Sequence, residues 1–243
     1  MSKMTRCLML GTALCLTISA CDGTGKKVGD LLHHRPRTTL ALVDTSGSIA
    51  PEDRPIYVGS LGAVANTLQA GDRLVVAEIG DGDRGAFRAA LDVTVPDSDV
   101  RLDREEAVSA ARAEVNKTVP TLVPEGAKRG ARSTLILAAI AAGAQAFGNG
   151  PHEGDRLIIL SDGVEEGPVI NLTRVKADPA DISAALDKAR KAGLLPALDG
   201  VQITFAGAGG ANYVAVEQFW RAYAAATHAN LLAYGRLPFR PAA

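Results

Sequence analysis

Two carboxylates and three hydroxyl groups lie where predicted elements of this chain end or begin. Asp44, Ser46 and Ser48 follow an apolar run at intervals of two residues, in LALVDTSGSIA. Asp162 follows a second apolar run, in LIILSDG, and Thr134 opens an apolar helical stretch, STLILAAIAAG. Their oxygens are hard ligands of the kind that Mg²⁺, Mn²⁺ and Ca²⁺ bind. The five residues therefore predict a divalent-cation site, if the fold brings them together.

The elements that must position these residues alternate between strand and helix patterns. The predicted strands lie at 39–43, 73–79, 89–97, 155–163, 200–210 and 229–235. The predicted helices lie at 55–69, 103–116, 134–147, 178–191 and 213–227. This order predicts an α/β fold with a doubly wound, mostly parallel sheet and helices on both faces. The third strand alternates in polarity, so we expect it at an edge of the sheet.

Such a fold gathers the candidate ligands at one edge of the sheet. Open α/β sheets bind ligands beyond the carboxyl ends of their strands, and both Asp44 and Asp162 follow strands. Helix N-termini bring partial positive charge to the same edge. Because the set contains only two carboxylates, we expect the cation to keep an open position for an acidic oxygen from a partner.

Four further acids follow strands at this edge. Asp81 and Asp83 come after the second strand, and Glu165 and Glu166 come shortly after Asp162. Two interpretations remain open for them. They shape the choice of ligand at the rim of the site, or they are ordinary solvated loop acids.

The five-residue set resembles the metal-ion-dependent adhesion site of the von Willebrand factor type A domains. That site is written D-x-S-x-S, then Thr, then an Asp after a hydrophobic strand. The resemblance covers residues 38–236. It implies Asp44, Ser46, Ser48, Thr134 and Asp162 as ligands of a cation, first Mg²⁺ and then Mn²⁺ or Ca²⁺. It also implies a protein partner that offers an acidic side chain. Each segment alone is equally typical of turns and helix caps, so only the combination is informative.

The N-terminus resembles a bacterial lipoprotein signal peptide. Its first six residues include two basic residues and no acid, and residues 7–19 are almost wholly apolar. That run is too short to cross a bilayer and is typical of a secretory signal. The sequence ISAC, which ends at Cys21, resembles a lipobox and implies cleavage before a diacylglycerol-modified Cys21. We therefore expect a lipid-anchored protein of the bacterial cell envelope that faces the periplasm or the exterior.

These patterns divide the chain into four parts. They are a signal peptide (1–20), the lipidated Cys and a flexible tether (21–37), a von Willebrand A-like domain (38–236) and a C-terminal tail (237–243).

Composition limits the function. The net charge is −1 and no basic run occurs, which argues against nucleic acid as a partner. The three Cys lie at 7, 15 and 21, and no His stands in a triad-like pattern, so we expect no enzyme. A metal-dependent protein-binding module is the first hypothesis. A metal-assisted hydrolase that uses the same oxygens, or a scaffold lipoprotein with a structural metal, remains as the alternative.

Overall fold

Strands and helices alternate along the chain in the predicted order. The computed structural model describes residues 34–46, 51–80, 87–129, 133–210 and 212–241. Its strands are β1 (Thr38–Asp44), β2 (Arg73–Ile79), β3 (Phe87–Thr94), β4 (Arg156–Leu160), β5 (Gln202–Ala206) and β6 (Asn230–Gly235). Its helices are α1 (Arg54–Thr67), α2 (Arg101–Arg129), α3 (Ile136–Gly143), α4 (Pro179–Lys191) and α5 (Tyr213–Ala226).

The six strands form one sheet in the order β3-β2-β1-β4-β5-β6. β3 is antiparallel to β2 and lies at one edge, as its alternating pattern predicts, whereas the other neighbouring pairs are parallel. The chain builds outward from β1 to β3 on one side and from β4 to β6 on the other. The order therefore reverses between β1 and β4, which is where open α/β sheets place their ligands.

Helices cover both faces of the sheet. On one face, Leu40 and Leu42 of β1 belong to a buried cluster that includes residues of α3, α4 and α5. On the other face, Ala41 and Val43 belong to a cluster with residues of α1 and α2. The alternate side chains of β1 thus point into two cores, which confirms the predicted doubly wound α/β class.

Two helices differ in extent from the prediction. α2 continues to Arg129 rather than ending at Asn116, although Pro120 lies inside it. Its buried side chains recur every three or four residues, and this packing outweighs the lost backbone hydrogen bond; they are Ala111, Val115, Val119 and Leu122. α3 is shorter than predicted at both ends, since it begins at Ile136 rather than at Thr134 and the segment Ala144–Phe147 continues as a 3₁₀ helix.

Two carboxylates at the amino edge of the sheet hold the start of β1 in place. Asp72 precedes β2 and accepts a hydrogen bond from the amide of Arg37 (3.1 Å). Asp155 precedes β4 and accepts one from the amide of Thr38 (2.7 Å). These two buried carboxylates hold β1 from both sides, so the last residue of the predicted tether is already part of the folded unit.

The two ends of the chain are described to different extents. The predicted signal peptide and Cys21 lie outside the described residues. Within the predicted C-terminal tail, Phe239 packs in the core with α1, and its amide donates to Ser60 Oγ (2.9 Å). In the described part of the chain, no helix has both the length and the apolar character needed to cross a membrane.

Candidate metal centre

Two candidate ligands meet at the point where the strand order reverses. Asp44 ends β1, and Ser161 and Asp162 follow β4 directly. Val43 pairs with Leu160 in the parallel register, so the next residues on each strand lie side by side. The topology therefore places two carboxyl groups next to each other at the carboxyl edge of the sheet.

The Asp44 carboxyl group lies at the centre of the site. It is buried, with a relative exposure of 2%. Its Oδ1 accepts a hydrogen bond from the amide of Ser46 (2.8 Å), and its Oδ2 accepts one from Ser161 Oγ (2.9 Å). The hydroxyl groups of Ser46 and Thr134 also hydrogen-bond it. Ser46, Thr134 and Asp162, which the sequence placed on three segments, thus converge on Asp44.

Ser161 lies between the two carboxyl groups and was not among the predicted site residues. Its Oγ is 2.9 Å from Asp44 Oδ2 and 3.4 Å from Asp162 Oδ1, and it accepts a hydrogen bond from the Gly163 amide (3.1 Å). A hydroxyl group has a single proton to donate. It therefore satisfies one of the two carboxylates at a time.

The electrostatics of this site favour a positive charge. Burial raises the pKa of Asp44 above its usual range. Burial also raises the pKa of Asp162, and the charge of Asp44 raises it further. Within the described residues, no Lys, Arg or His forms an ion pair with either group. A buried carboxylate and a half-buried one that repel each other are stabilised when a proton or a cation compensates them.

Tyr57 of α1 lies within the same negative potential. Its side chain is buried, and burial raises the pKa of its phenol, with further contributions from Asp44, Asp162 and Asp53. The ring packs on Gly207, where a Cβ would lie 2.5 Å from a ring carbon and where φ is +97°. The sequence predicts Tyr57 as a core residue of α1, which is correct, but the helical pattern does not indicate that its ring lies beside the site.

The residues present fit a hard divalent cation. The described ligand candidates contribute carboxylate and hydroxyl oxygens, which Mg²⁺, Mn²⁺ and Ca²⁺ prefer. No group of three or more His, Cys, Asp or Glu suited to a metal occurs in the described segments. That finding is compatible with the candidate site, which contains only two carboxylates. Ser48 lies outside the described residues, as do Asp81 and Asp83.

The remaining rim candidates occupy different environments. Glu166 is exposed, which both interpretations expect. Glu165 is not a solvated loop acid, since its relative exposure is 3% and burial raises its pKa to about 7. Its carboxylate accepts a hydrogen bond from the Leu137 amide (2.8 Å), at the start of α3.

Comparison with known proteins identifies structural likeness only. No family model and no curated protein matches the chain. Among solved structures it is similar to a von Willebrand factor type A protein from Catenulispora acidiphila, at 15% identity and a TM-score of 0.38, over 79% of this chain and 43% of that one. It is similar to the manganese-loaded TRAP protein of Plasmodium vivax, at 16% identity and a TM-score of 0.39, over 78% and 63%.

A third similar structure is the PilB minor pilin from Streptococcus sanguinis, at 12% identity and a TM-score of 0.43, over 83% of this chain and 57% of that one. The chain thus spans less than two thirds of the length of each of these proteins. The fold class given above rests on this chain's own strand order and crossovers.

Proposed function

We propose that this chain binds a protein partner through a divalent cation and is held at a bacterial membrane by a lipid on Cys21. The observation that carries the metal proposal is the pair of adjacent carboxylates, buried Asp44 and half-buried Asp162, which repel each other and have no cationic partner in the described residues. A divalent cation compensates both charges, whereas one proton compensates a single charge.

Five residues would hold the cation, and they are Asp44, Ser46, Ser48, Thr134 and Asp162. A bound Mg²⁺ or Mn²⁺ ion would supply a Lewis-acidic position for one oxygen atom of a partner. The chain contributes two negative charges and otherwise neutral hydroxyl groups. An acidic side chain from a partner therefore approaches a site without excess negative charge, and we propose such a side chain as the ligand.

Binding without turnover is the favoured activity. The described imidazoles that form ion pairs, His152 with Asp155 and His228 with Asp199, lie next to the amino ends of β4 and β6. The candidate metal centre lies at the carboxyl edge, so neither imidazole is available there as a general base. A hydrolase that uses the same oxygens would have to rely on another base.

Metal binding is tested by titration calorimetry with Mg²⁺ and Mn²⁺. Asp44→Ala removes a charged ligand that no hydroxyl replaces, so we expect affinity to fall by at least about 100-fold. Thr134→Ala removes one neutral oxygen, so we expect a smaller fall of about tenfold. Glu105, an exposed residue of α2, provides the control Glu105→Ala, with no change expected.

Partner binding is measured on the same variants, with immobilised protein and envelope extract in Mg²⁺ or chelator. We expect Mg²⁺-dependent capture by the unmodified chain and by Glu105→Ala, but not by Asp44→Ala. Undiminished metal binding by Asp44→Ala would contradict the metal proposal. Metal binding without capture would favour a structural metal, and metal-dependent hydrolysis of a captured protein would favour the hydrolase.

The lipid anchor is tested separately by fractionation and mass spectrometry. Cys21→Ser removes the thiol that carries the diacylglycerol, so most of the protein should leave the membrane fraction. Full retention of the variant, together with the absence of an acyl mass on the unmodified protein, would show that the lipoprotein assignment is wrong.

A further inference from the structure

Glu165 is a buried carboxylate that the metal proposal does not use. It lies three residues after Asp162, and the described part of the chain contains no ion pair to it. Its Oε2 accepts a hydrogen bond from the Leu137 amide (2.8 Å), and the amides of Ile136 and Gly167 hydrogen-bond the same carboxyl group. Its polar contacts are therefore mainly to the backbone at the start of α3.

α3 has no side-chain cap of its own. Its N-cap residue is Leu135, which makes no capping hydrogen bond. The first amides of a helix lack partners within the helix, and here Glu165 binds two of them from 28 residues away in sequence. α4 differs, because its own N-cap residue, Asp178, accepts hydrogen bonds from its first amides. The start of α3 thus depends on the segment that follows β4.

A second contact joins the same two segments next to Thr134. The amide of Glu166 donates to the carbonyl oxygen of Thr134 (3.0 Å), and the amide of Leu172 donates to the carbonyl oxygen of Glu165 (2.9 Å). A Cβ on Gly167 would collide with the Glu165 carboxyl group, so a glycine lets the chain close around it. Glu165 and Glu166 therefore hold the backbone that directly follows the Thr134 side chain.

We infer that Glu165 is a positioning residue of the candidate metal centre, because it fixes the Thr134 hydroxyl relative to Asp162. The two ligand candidates come from segments that are far apart in sequence, and Glu165 joins them by its side chain a few residues from each. This inference rests on the proposed metal binding. Without the carboxyl group, the start of α3 has unpaired amides and Thr134 has more than one accessible position.

The test is a titration of the full chain with Mn²⁺ alone, by calorimetry. Glu165→Ala should weaken Mn²⁺ binding by about tenfold, the usual range for residues that orient metal ligands. Glu165→Gln retains an oxygen that accepts the Leu137 hydrogen bond but turns its NH₂ group toward the Gly167 amide, so its affinity should fall by less than that of Glu165→Ala. Asp178→Ala is the matched control, since it removes the cap of α4, lowers the unfolding midpoint and leaves Mn²⁺ affinity unchanged.

Amide hydrogen exchange of the metal-free chain gives a second, independent measurement. Glu165→Ala should speed exchange at residues 134–137, and Asp178→Ala should not. If Glu165→Ala binds Mn²⁺ normally, or exchange at 134–137 is unchanged, the inference is overturned. Should Glu165→Ala not fold, Glu165→Asp, which is one methylene shorter, must show both effects to a smaller extent. If the unmodified chain binds no Mn²⁺, the metal proposal fails, and the exchange result alone decides whether Glu165 positions Thr134.

Discussion

The two edges of the sheet each contain a pair of aspartates, but the pairs have different surroundings. Asp72 and Asp155 lie at the amino edge, and Asp44 lies with Asp162 at the carboxyl edge. At the amino edge the two carboxylates flank β1 and stand apart. At the carboxyl edge the two groups follow adjacent strands and meet at one hydroxyl group.

Backbone amides and one guanidinium group bind the two carboxylates of the amino edge. Asp155 accepts hydrogen bonds from the amides of Thr38 (2.7 Å) and His152 (3.0 Å), one on each oxygen. Asp72 accepts from the amides of Arg37 and Gln69 and lies 3.5 Å from the Arg37 guanidinium. Backbone amides and a guanidinium are charge-assisted partners for a buried carboxylate. These aspartates therefore have a structural role, and they need no ligand.

Burial alone thus does not identify a site in this protein. Asp72, Asp155 and Asp44 are all almost inaccessible to solvent. The distinguishing property is whether the two carboxylates of an edge lie next to each other. At the carboxyl edge, Asp44 accepts hydrogen bonds from Ser46, Ser161 and Thr134, but it lies beside Asp162 and the mutual repulsion of the two charges remains.

The pH dependence of stability should reveal the acids whose pKa burial raises, with the largest expected effect. Burial raises the pKa of Glu165 from 4.5 to about 7, and burial also raises those of Asp44 and Asp162. These groups then hold protons in the folded chain that they release in the unfolded chain, so their contribution to metal-free stability is greatest below pH 4.5 and is lost as the pH rises through about 7. Glu165 alone contributes roughly 3 kcal/mol across this window, at about 1.4 kcal/mol per pKa unit.

Urea unfolding of the metal-free chain at pH 4.5 and pH 8 measures this effect. The lower pH equals the unfolded pKa of Glu165, and the upper pH lies about one unit above its folded pKa. Glu165→Gln provides the control, because it cannot titrate and should remove most of the contribution of Glu165 to the slope. A metal-free chain that is more stable at the higher pH would show that the carboxyl edge is compensated after all, and the contrast between the edges would disappear.

The sequence predicts the parts of this contrast that depend on strand ends. Apolar runs that stop at Asp44 and Asp162 indicate both the strands and the edge at which they end, because carboxyl ends of parallel strands share one edge. The reversal of strand order between β1 and β4 is not visible in the sequence. It decides that these two residues, rather than any other pair of strand ends, are neighbours.

The sequence does not predict which polar residues act through packing. Ser161 precedes Asp162 in LSDG, and its role depends on the register between β1 and β4. Glu165 has the sequence context of a loop acid, and only the fold brings it under α3. A register argument could have found Ser161, since the residue after Leu160 lies opposite Asp44. No comparable local signal exists for Glu165.

The sharpest comparison makes the same substitution, Asp to Asn, at both edges. The expected changes in the free energy of unfolding are about 2 kcal/mol or less. In Asp155→Asn, one carboxylate oxygen becomes an NH₂ group that faces the amide of Thr38 or His152. Two donors then face each other, and one buried amide loses its acceptor. We expect the free energy of unfolding to fall by about 2 kcal/mol, with no change in Mn²⁺ affinity.

Asp44→Asn should have the opposite effect on the metal-free chain. The Asn oxygen still accepts from the Ser46 amide, and its NH₂ group donates to Ser161 Oγ, which frees the Ser161 proton for Asp162 Oδ1. The substitution removes a buried negative charge and keeps one acceptor oxygen for the amide of Ser46 and for the Ser46 and Thr134 hydroxyl groups, so stability should rise by about 1 kcal/mol while Mn²⁺ binding is lost. Urea unfolding in the presence of a chelator measures the change in the free energy of unfolding for both variants. The exposed Asp99→Asn is the neutral control. Equal destabilisation by Asp44→Asn and Asp155→Asn would mean that both edges are compensated by the chain itself, and the carboxyl edge would then have no need of a cation.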